Sequence, residues 1–240
     1  MATFVLIHGG GHGGWCFNKL SPLLREAGHL VYSPSLTGCG DRKHLVGADV
    51  GLATHATDVA NLLEYDDLTE VILLGHSYGG MVITAAADLV PERIGKLVYL
   101  DAAHPKNGES LADVAKPMMQ LAQQQMRVQD GVELVLWPDA LGPVGYFGVT
   151  DEVDIAWMKT KLTPHPWKCF SEKLAMKNEA AVRRIRRFNI NCTQALTHSE
   201  PEALARQLDG ERNFEIDTGH DLMITEPRAV ADMLLEIARA

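Results

Sequence analysis

The sequence predicts an α/β fold: a mostly parallel, six-stranded core sheet with helices on both faces and an inserted cap. Three observations predict it. Short β-rich runs alternate with helical patterns toward both ends of the chain, which calls for a parallel sheet joined by right-handed crossover helices. Most of those runs are continuously apolar rather than alternating, as strands covered on both faces must be. One long interior stretch then breaks the alternation without offering a core strand. With 240 residues and 46% hydrophobic content, the chain can bury one sizeable core, and no internal repeat or low-complexity linker divides it.

Taken in order, "TFVLIH" (Thr3 to His8) reads as the first strand and runs into the glycine-rich "GGGHGG". A helical pattern from Phe17 to Ala27 leads to the strand "LVYSP" (Leu30 to Pro34), and a second from Thr54 to Tyr65 leads to "VILLG" (Val71 to Gly75). The helix Gly79 to Leu89 precedes the strand "KLVYLD" (Lys96 to Asp101). From His104 to Arg187 come "MMQLAQQQM", "VELVLWPDALG", "DEVDIAWMKTKL" and "PHPWKCF", helical pieces mixed with prolines and aromatics. A long connection between two sheet strands reads as a lid laid over the strand ends. The basic run "RRIRR" (Arg183 to Arg187) that closes it reads as a solvated helix face. The rhythm resumes with "FNINCT" (Phe188 to Thr193), a short helix Glu202 to Gln207, "NFEID" (Asn213 to Asp217) and a last helix, Pro227 to Ala238, with proline in its first turn. Residues 1–103 and 188–240 are thus expected to form the core and 104–187 the cap.

Composition narrows the function classes. A net charge of -9 argues against a nucleic-acid or anionic-membrane partner, either of which would need a basic face. The opening "ATFVLIHG" is too short an apolar run for a signal peptide, and nowhere do 18 uninterrupted apolar residues suggest a membrane span, so a cytoplasmic protein is expected. The four cysteines, Cys16, Cys39, Cys169 and Cys192, are scattered with no CxxC spacing. They read as reduced and structural, without a zinc knuckle or disulfide framework, and no motif asks for a cofactor.

The chemistry lies at "VILLGHSYGG", where a strand runs into Gly75-His76-Ser77-Tyr78-Gly79 and straight on into a helix. That context gives G-x-S-x-G its meaning: glycines allow a tight strained turn, and the turn lifts Ser77 above the sheet as a nucleophile. A serine hydroxyl needs a base to take its proton. Of the ten histidines, His220 fits best, just after the last strand in "EIDTGHDLMITEP". His29 and His55 sit in or beside helices, His198 in a polar loop, and His76 at the variable position of the turn, where packing or hydrogen bonding is expected of it. Attack on a carbonyl also needs two preorganised N–H donors for the developing oxyanion. Tyr78 supplies one, and the glycine loop after the first strand supplies the other through Gly10. His8 and His12 are four apart in that loop, but its glycines make a zinc-binding helix improbable. They read as ordering the loop, and no metal site is expected.

These motifs carry a family resemblance. "VLIHGGGHGGWCFNKLSPLLREAGHLVYSPSLTGCG", "VILLGHSYGGMVI" and "TGHD" resemble the α/β-hydrolase superfamily, in its methylesterase and hydroxynitrile lyase branch. Plant methyl-salicylate and methyl-jasmonate esterases belong there, as do bacterial carboxylesterases of the pyrethroid-hydrolase type. The resemblance implies an α/β-hydrolase fold and a serine esterase with Ser77 as nucleophile, His220 as base, and Gly10 and Tyr78 as oxyanion donors. Its implied partner is a small-molecule ester, with a homodimer as one candidate assembly. One departure stands out. The plant members place the triad aspartate shortly after the penultimate strand, whereas here "NINCTQALTHSEPE" has no Asp before Asp209. Either Glu200 substitutes, or the acid has moved to the end of the preceding core strand at Asp101. Asp101 is favoured, because the fold gathers its catalytic groups at such strand ends.

Three function classes remain: an ester hydrolase, a lyase using the same triad on cyanohydrins, and a non-catalytic receptor on the same scaffold. Cofactor-independent dioxygenases share the fold as well. The lyases carry a lysine after the histidine to hold departing cyanide, but here Asp221 and Leu222 follow. A receptor is usually betrayed by loss of the nucleophile or base, and both are present. For the substrate, Trp137, Tyr146, Phe147, Trp157, Trp167 and Phe170 in the cap, with His12 in the glycine loop, are the candidate contacts. They suggest a bulky apolar or aromatic acyl group.

Overall fold

The computed structural model describes residues 1–137 and 147–240. Six strands form one parallel sheet: β1 (Thr3–Ile7), β2 (Leu30–Tyr32), β3 (Val71–His76), β4 (Ile94–Leu100), β8 (Arg186–Cys192) and β9 (Arg212–Ile216). Their order is β2-β1-β3-β4-β8-β9, so the chain winds outward from the centre twice, first toward β2 and then toward β9. Three further strands, β5 (Arg127–Gln129), β6 (Val132–Val135) and β7 (His165–Pro166), form a separate antiparallel sheet.

Both faces of the sheet's centre are buried, which is why β1 and β3 are continuously apolar up to their ends, whereas the edge strand β9 is largely exposed and polar. Successive side chains point to opposite faces, and the burial follows that period. Val5, Ile7, Val71, Leu73, Leu97 and Tyr99 belong to one core, and Phe4, Leu6, Ile72, Leu74, Val98 and Leu100 to the other. Helices α2 (Leu52–Tyr65) and α3 (Gly79–Leu89) cover the first face, while α1 (Ser21–Glu26) and α12 (Pro227–Arg239) cover the second. The predicted helix from Phe17 to Ala27 is shorter: Gly14–Phe17 is a 3-10 turn, and α1 begins only at Ser21 with Pro22 in its first turn.

Between β4 and β8 the chain makes α4 (Leu111–Val114), α5 (Lys116–Gln124), the small antiparallel sheet, α6 (Glu152–Lys159), α7 (Lys168–Ser171) and α8 (Glu179–Val182). After β8 come α9 (Thr193–His198), α10 (Pro201–Gln207) and, beyond β9, α11 (Leu222–Thr225). The run "RRIRR" is not a helix face. Arg186 and Arg187 already pair with Lys96 and Leu97 of β4, since β8 starts with two half-buried arginines before its buried centre begins at Phe188. Among the described residues no helix is long and apolar enough to cross a membrane.

Candidate active site

Ser77 sits on the turn between β3 and α3 with φ +55, a left-handed backbone that L-residues avoid at a cost of about 1–2 kcal/mol. Neighbouring glycines let the turn close. A Cβ on Gly75 would lie 2.4 Å from the Gly79 carbonyl oxygen, and one on Gly79 would lie 2.6 Å from that of Ile7. From Val71 to Gly80 every residue is buried except Ser77, so the turn exposes the one side chain with a nucleophilic atom.

His220 follows β9 and keeps 30% of its side chain exposed. Its Nδ1–H donates to Asp101 Oδ2 at 2.5 Å, which leaves Nε2 as the basic nitrogen. Asp101 directly follows β4, also in a left-handed conformation at φ +45. Its Oδ1 accepts the Cys192 N–H at 3.1 Å, its Oδ2 accepts the Cys192 thiol at 3.3 Å, and its own N–H donates to the Ile190 carbonyl at 2.7 Å. Burial alone would raise the Asp101 carboxyl, but the bonds from His220 and Cys192 outweigh it and hold the group below its usual range. Burial likewise opposes charge on His220, yet the Asp101 bond and charge prevail and raise the ring above its ordinary value. Glu200, the alternative acid, is exposed at the start of α10 and makes no bond to His220 among the described residues. Cys192 escaped the sequence reading. Its one signal was its place at the end of the strand beside β4.

The glycine loop lies against the nucleophile: a Cβ on Gly9 would come within 2.8 Å of Ser77 Cβ. Its two histidines hold it from opposite sides. His8 Nδ1–H donates to the Gly9 carbonyl at 2.8 Å while its Nε2 accepts the Leu36 N–H at 3.0 Å. His12 meets the Gly10 carbonyl through Nδ1 at 2.8 Å and Asp221 Oδ2 through Nε2 at 2.9 Å. Asp221 therefore does not face a reacting anion; it is fully buried and paired beneath the loop. Its place in the fold, not its sign, keeps it out of the chemistry at Ser77.

Ser77 and His220 line one cavity of about 190 Å³ whose other walls include Leu111, Val114, Met118 and Ala195. The aromatic candidates lie elsewhere. Trp137 and Phe170 pack on the glycine loop, where a Cβ on Gly11 would strike Trp137 at 2.6 Å and one on Gly10 would meet Phe170 at 3.0 Å. Phe147 meets the His12 ring at 4.8 Å, Trp157 meets Trp15 at 5.1 Å, and Trp167 meets Phe170 at 6.2 Å. His12 is itself only 1% exposed. Among the described residues these do not line the cavity that holds Ser77 and His220, although Phe147 also faces the His220 ring at 6.4 Å. Tyr146 falls outside the described residues.

A buried group of His55, His165 and Cys169 has the residue types of a metal site. His55 is engaged on both nitrogens, with the Tyr78 hydroxyl at 3.0 Å and the Thr37 carbonyl at 2.9 Å, while His165 accepts the Gly11 N–H through Nδ1 at 3.2 Å and its Nε2 has no hydrogen-bond partner among the described residues. These bonds tie Tyr78 and the glycine loop to α2 and the cap.

The buried imidazoles make stability depend on pH. Burial, their largest perturbation, lowers His8, His76 and His104 from the usual 6.5 to about 3, and drives His165 well down too. Between those limits the unfolded chain binds protons that the native chain refuses. Stability therefore falls with falling pH, by up to about 1.4 kcal/mol per pH unit for each ring. The raised His220 contributes stability that is fully present below its unfolded pKa and is lost only as pH rises through its folded one. The lowered Asp101 loses its contribution only as pH falls below the carboxylate range. Neither offsets the histidines in the window between. The urea midpoint is accordingly expected to drop steeply from about pH 7 to about pH 5; a flat profile would show that these rings are not kept neutral.

This geometry has known counterparts. The chain belongs to the alpha/beta hydrolase family, whose model matches residues 4–233. It is 34% identical over 243 residues to a carbendazim hydrolyzing esterase from Nocardioides sp. (strain SG-4G), covering 98% of each chain. It is 29% identical to putative methylesterase 11, chloroplastic, from Arabidopsis thaliana, over 98% of this chain and 64% of that one. Among solved structures, an extracellular alpha/beta-hydrolase from a Paenibacillus species, described as sharing structural and functional homology with tobacco salicylic acid binding protein 2, superposes with TM-score 0.81 at 26% identity and 98% coverage of both chains.

Proposed function

We propose that the protein, a carboxylic ester hydrolase by its family and relatives, works through an acyl intermediate on Ser77. The observation that carries this reading is the strained turn that exposes Ser77 into the same cavity as a histidine bonded to a buried aspartate at 2.5 Å. His220 Nε2 takes the Ser77 hydroxyl proton as Oγ attacks the ester carbonyl. The N–H groups of Gly10 and Tyr78 receive the oxyanion. Collapse breaks the bond to the alcohol, which leaves with the proton from His220, and water then releases the acid by the same steps in reverse. Catalytic hydrogen bonds are often long in unliganded sites and tighten on the substrate, so the shared cavity is the relevant geometry. Asp101 fixes the tautomer of His220 and stabilises the imidazolium.

The substrate we infer is a small neutral ester with an apolar or aromatic acyl part, since the cavity wall is largely carbon apart from Asp101, His104, Arg206 and Gln207. Relatives named methylesterases point to a small alcohol part. The segment between β4 and β8 serves as the lid that shapes this cavity. A lyase reading needs a free cation for departing cyanide, but Arg206 is committed to Glu109 at 2.7 Å and Glu202 at 2.8 Å, and Asp221 is buried against His12. Methyl esters with varied acyl groups, run beside mandelonitrile and a lactone, test the proposal. Aryl and branched acyl esters should turn over fastest. Mandelonitrile cleavage faster than that of a matched aryl ester, after correction for spontaneous decay, would overturn it.

A further inference from the structure

Beneath the site lies a second carboxylate that the steps above leave unused. Asp221 is fully buried, and its Oδ2 lies 2.9 Å from His12 Nε2. The other nitrogen of His12 faces the Gly10 carbonyl at 2.8 Å. The ring therefore bridges a backbone carbonyl of the glycine loop and a buried carboxylate. His76, the residue before Ser77, stands 3.6 Å from Asp221 Oδ1 through Nε2, and the same nitrogen donates to the His220 carbonyl at 3.0 Å. Trp15 stacks on His12 at 5.3 Å and Phe147 closes its edge at 4.8 Å, keeping water away. Three segments distant in sequence are thereby linked: Asp221 bonds the glycine loop through His12, and His76 at the end of β3 bonds the carbonyl of His220, the residue next to Asp221.

We propose that Asp221, with His12 and His76, is a positioning residue that holds the glycine-loop peptides and the His220 backbone in register for the transition state. The inference rests on the esterase reading above. Removing an oxyanion donor costs about 10²–10³-fold in kcat, and loss of the groups that aim one should approach the lower figure. Substrate binding in the ground state, which the pair does not touch, should hardly change.

The test exploits the fact that replacing both partners of a buried polar pair by apolar residues of similar size is often neutral for stability, whereas removing one partner is not. The double variant His12→Phe/Asp221→Leu should melt near the wild-type temperature. Its kcat should nevertheless be about 10²-fold lower, with KM within about threefold. Binding of a trifluoromethyl ketone, which forms a tetrahedral adduct, should weaken by the same factor. Asp221→Asn can turn its amide to donate to His12 Nε2, leaving Nδ1–H for Gly10, and should keep kcat within about threefold. A folded double variant with wild-type kcat, or a loss confined to KM, would overturn the inference. Should the double variant not fold, His12→Gln decides by the same readouts, since an amide in place of the ring has donors only on its nitrogen and cannot set one at each of the two ring-nitrogen positions. Wild-type protein is first labelled with a phosphonate. If Ser77 is not labelled, the esterase reading falls, whereas labelled wild type beside an unimpaired variant removes only the positioning role.

Discussion

Ser77→Ala is expected to leave a folded protein whose ester turnover is lower by about 10⁴-fold or more. The hydroxyl is consumed in the proposed chemistry, and nothing else in the cavity can replace it: the other side chains around it are carbon, an aspartate, imidazoles, an amide and a paired arginine. Folding should survive because Ser77 Oγ makes no hydrogen bond among the described residues, and the turn is shaped by its glycines. An organophosphonate should label the wild type once, at Ser77, and leave the alanine variant unlabelled. Labelling at another residue, or unchanged turnover in the variant, would end the serine-hydrolase reading.

Asp101→Asn should lower kcat by about 10²- to 10⁴-fold with KM nearly unchanged. The amide keeps the shape and the Cys192 contacts, but it favours the wrong tautomer of His220 and withdraws the charge that an imidazolium needs. A second signature follows from the ionisation of His220. Its base must be neutral to act, so kcat/KM of the wild type rises with pH through the raised pKa of that ring. Without the Asp101 charge, burial is left less opposed, and the acid limb of the variant should move to lower pH. Glu200→Gln, on an exposed side chain, should cost under about tenfold. The reverse pattern would move the acid to Glu200.

The parts legible in the sequence are those written in local pattern. Two buried faces demand continuous apolar strands, so all six core strands could be found to within a residue or two. The glycines around Ser77 announce a turn that no larger residue could close. The acid was harder, because Asp101 and His220 are joined only by the order of strands, yet the strand-end argument pointed to the carboxylate that bonds His220. What stayed hidden depends on distant partners. Nothing near Asp221 says that it pairs with His12 from the other end of the chain, so its charge was read as if it faced the substrate. The packing of the cap aromatics, which were candidate substrate contacts, was hidden because the bare glycines of the loop that Trp137 and Phe170 meet lie far away in sequence. Three short antiparallel strands, β5 to β7, carry too few residues to show a period.

Ser77 and Asp101 share one more property: both hold left-handed backbones, at φ +55 and +45, at the ends of neighbouring strands. Glycine would occupy either backbone without that penalty, but at Asp101 it would also strip His220 and Cys192 of a buried acceptor, so only at Ser77 is the penalty left unopposed by hydrogen bonds among the described residues. The nucleophile's turn is thus a place where thermostabilising substitution and turnover are opposed: the residue that would relax the backbone is the one that removes the hydroxyl.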